Sequence, residues 1–206
     1  VDFINKPFEL SSLLAHINAH LKRFDHTRLL NPLTGFPGRT IIDTEIKKRL
    51  TNRGKPFALM CIDINDLKLF NNSYGFLQGD NVIKLVAEIL AECIKTGFIG
   101  HNGGDDFVVI LEPERVDAVC QKIISMFDEQ IHKLYHPADN DNAHKGLNVN
   151  PILTLSIGVS VNNKKQPFKR PLDIFDAASE MMEYSKSLQC SAYHKDDGQG
   201  KLHNHL

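Results

Sequence analysis

The stretch Phe57-Ala58-Leu59-Met60-Cys61-Ile62 carries no polar side chain and is followed at once by Asp63. A short apolar run without alternation reads as a buried strand, in contrast to the in-out pattern of a strand with one wet face. Such a strand needs cover, and its neighbours in the sequence have helical rhythm. Residues 41–53 suit a helix with basic residues toward its end, closed by Gly54-Lys55-Pro56. Ile83, Val86, Leu90 and Ile94 form one helical face, with Asp80 as a candidate N-cap. Residues 114–135 suit another helix, and Ile174, Ala178, Met181, Ser185 and Leu188 mark a last one. Residues 152–161 read as a strand. Phe98-Ile99 and residues 107–111 flank His101-Asn102-Gly103-Gly104-Asp105-Asp106, a hairpin signal with Asn-Gly at its tip. Helices crossing between strands, with one strong hairpin, predict an α+β sandwich.

The 206 residues are 42% hydrophobic and 24% charged, ordinary values for a chain that buries a sizeable core, and the net charge of −1 gives no pull toward nucleic acid or an anionic membrane. No apolar run is long enough to span a bilayer, and the N-terminus lacks the pattern of a signal peptide. Cys61, Cys93, Cys120 and Cys190 are scattered without Cys-x-x-Cys, which fits reduced thiols and a cytoplasmic location. Residues 1–24 read as a strand end, Lys6-Pro7, and an amphipathic helix, too little to fold alone. Residues 25–195 form the main domain, and residues 196–206 a polar tail in which His203 and His205 lie, with His194 grouped beside them. His132 and His136 stand four apart, but with no Glu between them a surface placement is the simpler reading. The polar segment 136–150 suggests a loop and no function.

Asp63 stands where an apolar strand ends, and Asp105 and Asp106 follow a hairpin tip. If the two strands are neighbours, strand-end and turn carboxylates can converge, and Asp63 and Asp105 about 4 Å apart would repel by about 4 kcal/mol at an effective dielectric near 20. They then share a proton or bind a cation. Hard oxygen ligands in small number suit Mg²⁺, which completes its shell with water and phosphate. From spacing alone, a polar turn with solvated acids remains the simpler reading.

A resemblance adds to this. Gly103-Gly104-Asp105-Asp106-Phe107 resembles the signature of GGDEF domains, the diguanylate cyclase family. Leu33-Thr34-Gly35 with Arg39, the stretch Asp63, Lys68, Asn71, Gly75, Gly79, Asp80, then Ser156-Ile157-Gly158-Val159 and finally Lys186 follow the family's order over residues 29–190. The resemblance implies a mixed, mostly antiparallel central sheet flanked by helices in three layers. It implies condensation of two GTP into cyclic di-GMP on Mg²⁺ (or Mn²⁺), with two domains facing each other as a homodimer. It also implies roles. Asp63, the Ile64 carbonyl and Asp105 would hold metal. Asp105, Asp106 and Lys68 would serve catalysis, and Lys186 would neutralise phosphate. Asn71 and Asp80 would read guanine, and Gly103 and Gly104 would let backbone pass close to the triphosphate. Asp-Phe-Ile-Asn-Lys-Pro-Phe at residues 2–8 is similar to the last strand of response-regulator receiver domains, which implies control by phosphorylation and a histidine kinase as partner.

Several positions depart from the family pattern. Asp106 stands for Glu, Asn65 for a second Asp, Asn31 for Asp, Leu67 for Phe, Asn72 for Asp, Phe76 for His, and Cys190 for a phosphate-binding Arg. These departures raise an alternative, a degenerate module that binds GTP or dimerises without turnover. A cyclase with relaxed base choice is a third reading, which Asp80 opposes. The product-inhibition motif Arg-x-x-Asp is replaced by Ile94-Lys95-Thr96-Gly97, so no feedback binding is expected there.

Overall fold

The computed structural model describes residues 29–52, 55–135 and 153–196, and the backbone of 203–205. The expectations for residues 1–24, for the 136–150 segment and for His136 fall outside the described residues.

The apolar run is the middle of a sheet. Strand β1 (Phe57–Asn65) lies between β3 (Asp106–Leu111) and β4 (Thr154–Asn162), antiparallel to both. Strand β2 (Phe98–Gly103) pairs with β3 at one side, and β5 (Ala192–Asp196) runs parallel to β4 at the other, followed by a short β6 (His203–His205). The order is β2-β3-β1-β4-β5-β6. The sheet is mixed and mostly antiparallel, as expected.

Both faces of β1 are covered. Ala58, Met60, Ile62 and Ile64 pack with α3 (Phe76–Cys93) and α4 (Val116–Ile131) through Val86, Leu90, Ile123 and Phe127. Phe57, Leu59 and Cys61 point the other way, into a smaller cluster with Ile42 and Ile46 of α1 (Arg39–Thr51) and Ile174 and Ala178 of α5 (Pro171–Lys186). The result is a three-layer sandwich. A short helix α2 (Leu67–Tyr74) joins β1 to α3.

Several boundaries differ from the expectation. Strand β1 continues through Asp63 to Asn65, because the pairs Asp63↔Ser156 and Asn65↔Thr154 extend the ladder past the apolar run. Helix α3 starts at Phe76, after Gly75 at φ +86, so Asp80 lies a turn inside the helix and is not its N-cap. Exposed Phe76 and Leu77 hide that start from any reading of apolar periodicity. The hairpin turns at Gly104-Asp105, not at Asn102-Gly103, since Gly103 pairs with Asp106 across a register shift. Strand β5 and the backbone of β6 were not foreseen. His194 is no tail residue but sits buried in β5, its Nδ1 2.9 Å from Ser185 Oγ.

Gly158 on β4 sets the spacing of the α5 layer. A Cβ built there would lie 2.0 Å from the Ala178 carbonyl oxygen and 2.2 Å from the Met182 nitrogen, both helix backbone that cannot swing aside. Gly158→Ala should therefore cost at least the ~1–3 kcal/mol of an overpacked core and lower the urea midpoint with little change in slope. A midpoint equal to that of the native chain would show that α5 is free to move outward.

Candidate active site

Side-chain alternation fixes what the site contains. Residues 57, 59 and 61 face α1 and α5, so Asp63 faces that side as well. On β3, Val108 and Ile110 share this face, and so does Asp106. The pairs Cys61↔Val108 and Ile62↔Phe107 carry the register to its end, which brings Asp106 across from Asp63. Asp105 is supplied by the turn. Its approach depends on Gly103 at φ +127 and Gly104 at φ +61, conformations that other residues adopt only with strain. Carboxylate oxygens of Asp63, Asp105 and Asp106 all lie within 4.8 Å of one another.

Asp63 is 8% exposed, and among the described residues one cation faces the group: Lys186 Nζ, at the end of α5, is 3.3 Å from Asp63 Oδ2 and 3.4 Å from Glu183 Oε1. The ion pair alone would depress the Asp63 carboxyl. Burial outweighs it, and with Asp105 and Asp106 adding repulsion the pKa rises from its ordinary 3.8 to about 6. Asp106 is also raised, by burial first and by Asp105 second. Burial is the largest single influence on Lys186 and pulls it down, but the charges and hydrogen bonds of Asp63 and Glu183 together outweigh it and hold the ammonium above the usual range. Each carboxylate pair at these separations repels by about 3–4 kcal/mol at an effective dielectric near 20. The set is all hard oxygen, half-buried and short of positive charge, which is what a small divalent cation satisfies.

Two features were not foreseen. His101, on β2, is 2% exposed and stacks on Phe107 at 4.3 Å. Its Nε2 lies 2.9 Å from the Gly104 carbonyl oxygen, which only accepts, so Nε2 carries the proton and Nδ1 accepts from Thr34 Oγ1 at 2.9 Å. Burial lowers the His101 pKa, which keeps the neutral ring this pattern needs. The ring thus ties the Leu33-Thr34-Gly35 turn to the glycine turn. That Asn31 closes the same turn by accepting from the Leu33 and Thr34 amides shows why Asn can stand there for Asp. Asn65 is the second feature. Its amide bonds Thr154 Oγ1 at 2.7 Å and Ser156 Oγ at 2.8 Å, so it braces the strand end.

Of the expected residues, Asp63, Asp105, Asp106 and Lys186 are brought together, with Gly103 and Gly104 in the turn that carries Asp105. Pairing of β1 with β3 ends at Ile62, so the backbone of Ile64 lies beyond it. Lys68, Asn71 and Asp80 stand on α2 and α3, which follow β1 directly; Lys68 is exposed. Asn71 Oδ1 is buried with no hydrogen-bond partner among the described residues, and a Cβ on Gly79 would fall 1.8 Å from it. Gly79 is what allows α3 to pass so close to Asn71.

A family profile described as diguanylate cyclase, GGDEF domain, matches residues 29–189. The chain belongs to the GGDEF domain family. Among similar proteins, the diguanylate cyclase DgcN of Escherichia coli K12 is 33% identical over 150 residues, 70% of this chain and 33% of that protein. DgcZ of the same organism is 28% identical over 144 residues, 67% of this chain and 44% of that protein. The chain thus spans less than half the length of these relatives. Among solved structures, the coiled-coil and GGDEF domain of DgcB from Caulobacter crescentus, in complex with c-di-GMP, superimposes with a TM-score of 0.68 at 19% identity, covering 87% of this chain and 92% of that one. The fold is therefore that of GGDEF domains. No helix among the described residues is long and apolar enough to cross a membrane.

A raised carboxyl pKa gives the sign of a pH effect. Without a cation, Asp63 contributes most to stability when protonated, and that contribution is lost as pH rises from its unfolded value of 3.8 through about 6. Asp63→Asn in EDTA should therefore melt higher than the native chain at pH 8, with a gain that shrinks toward pH 4 in circular-dichroism melts. An equal gain at both pH values would show that the buried charge is not the cause.

Proposed function

We propose that this domain condenses two GTP molecules into cyclic di-GMP at the acidic site, with Mg²⁺ or Mn²⁺ as cofactor. The observation that carries the proposal is the convergence of three carboxylates within 4.8 Å against a single lysine among the described residues. Asp63, Asp105 and Asp106 would hold the metal, joined by the Ile64 carbonyl. Bound there, the metal would neutralise charge on the triphosphate and on the leaving pyrophosphate and acidify the attacking hydroxyl.

The chain's own residues then bind and orient. Lys186 shares its charge with Asp63 and would turn toward phosphate once the carboxylates are neutralised. Lys68, exposed on α2, would meet the outer phosphates. Asn71 and Asp80 would read guanine, the carboxylate accepting from its N1–H and N2–H₂ donors. Asn71 Oδ1 supports this, as it is a buried acceptor with no donor among the described residues. The glycine turn, held by His101, keeps side chains away from the triphosphate path.

In each half-reaction a ribose 3′-oxygen bonds to the α-phosphorus of the facing nucleotide. The bond from that phosphorus to the bridging oxygen breaks, and pyrophosphate leaves. One domain presents one nucleotide, so the reaction needs a second copy of the domain facing the first, and proximity supplies much of the rate. Control through residues 1–24 by an upstream phosphorylated domain and its histidine kinase belongs to the same proposal, supported by the Lys6-Pro7 pattern.

One observation favours a second reading, a module that binds GTP or dimerises without turnover. Asn65 is committed to Thr154 and Ser156, so the acidic site has no further carboxylate at the end of β1.

Concentrated protein with GTP and Mg²⁺ should release two pyrophosphates per cyclic di-GMP formed. Asp105→Ala should cut the rate by at least about a hundredfold, the upper end of losses seen even for residues behind the ligands. GTP binding by calorimetry without product or pyrophosphate would leave the second reading in place.

A further inference from the structure

The acidic site occupies one pole of the sheet, and the opposite pole carries the reverse charge. There β1 begins and β3 and β4 end, with Ala58 paired to Leu111 and Phe57 to Asn162. The six residue steps from Phe57 to Asp63, at roughly 3.3 Å each, set the two poles about 20 Å apart. A cleft of about 1280 Å³ opens at this second pole. Lys47, Lys55, Lys164, Lys165 and Lys169 line it, all exposed, and none of them makes an ion pair among the described residues. Lys195 also reaches the cleft but is held by Asp117 at 2.8 Å. Glu114 is the acidic residue in the lining. The whole chain has a net charge of −1, so five lysine ammonium groups in one concavity are a local concentration and not the background of a basic protein.

The cleft is also built. Leu50, Val161 and Phe168 supply an apolar floor, and Leu50 and Phe168 pack against the α1–α5 core. The loop that bears three of the lysines is pinned to its own backbone. Asn163 Oδ1 accepts from the Lys165 and Gln166 amides at 2.7 and 2.9 Å, Asn162 Oδ1 accepts from the Phe168 amide at 2.8 Å, and Gln166 Nε2 donates to Asp196 Oδ2 at 2.7 Å. Lysines on a fixed platform lose less freedom on binding than lysines on a loose one.

We propose that this cleft binds a small organic anion carrying two or more phosphates, its phosphates on the lysine rim and its apolar part on the Leu50–Phe168 floor. Ammonium groups act as point charges for phosphate, and several around one concavity suit a polyphosphate better than a single carboxylate. The combination of an apolar floor and a charged rim is the common build of a small-molecule site. This site is independent of turnover at the acidic pole, and its test is read without activity.

The probe is ATP in EDTA, added to the ¹⁵N-labelled full chain. Without metal the acidic pole repels the triphosphate. The amides of residues 47–52, 163–166, 168 and 169 should shift, and those of residues 63 and 105 should not. Replacing Lys164, Lys165 and Lys169 with Ala should weaken binding by roughly tenfold or more, and Asp105→Ala should leave it unchanged. Raising salt should weaken it further. These lysines are exposed, so the variants should keep the native melting temperature; Lys165→Glu alone gives a second reading of the same effect. Shifts confined to the acidic pole, or an affinity unaltered in the triple variant, would overturn the proposal. So would a hexa-aspartate peptide that moves the same amides at lower concentration than ATP, since the partner would then be an acidic protein segment.

Discussion

A carboxylate buried at the end of a central strand is costly, and this fold keeps one there. Asp63 lies on the face of β1 that turns toward α1 and α5, across from Asp106 and within reach of Asp105. Desolvation and two like charges act against its ionised form, and the ammonium of Lys186 does not overcome them. The surrounding sheet supplies the constraint. Asp63 cannot move without breaking a ladder that pairs β1 with β4 over its whole length. A rigid site with a deficit of positive charge gains free energy from any divalent cation that enters it, and this coupling of fold to electrostatics underlies the function proposed here.

The other layers serve that arrangement. Lys186 comes from α5, and α5 sits as close as it does because Gly158 has no side chain. The turn that delivers Asp105 needs two glycines at positive φ, and a buried imidazole holds it to the Leu33-Thr34-Gly35 segment through Gly104 and Thr34. Asn65 and Ser156 lock β1 to β4 just beyond Asp63. Apolar packing sets where the strands lie, and a few polar bonds set how their ends meet.

Much of this was legible in the sequence because the signals were local. An unbroken apolar run reads as a buried strand, and four residues at helical spacing read as the buried face of α3. What escaped depends on register or on contacts between distant residues. The turn at Gly104-Asp105 follows from a shift between His101 and Gly103 that composition does not reveal. His101 carries no mark of its role, since its partners come from residues 34 and 104. The start of α3 was masked by exposed Phe76 and Leu77. Asp106 was read as a signature position, but that it faces Asp63 is a fact of strand alternation. Strand β5 was missed because a parallel partner is chosen by a crossover through α5 and not by any turn signal.

That parallel strand has a practical consequence. The family match ends at residue 189, yet β5 covers the edge of β4 from Ser156 to Ser160 and buries Tyr193 and His194. A fragment trimmed to the matched segment would strip that flank, leaving a row of amides and carbonyls open to the next molecule. Recombinant versions cut there would clump, and the residues responsible would be ones that no signature motif contains.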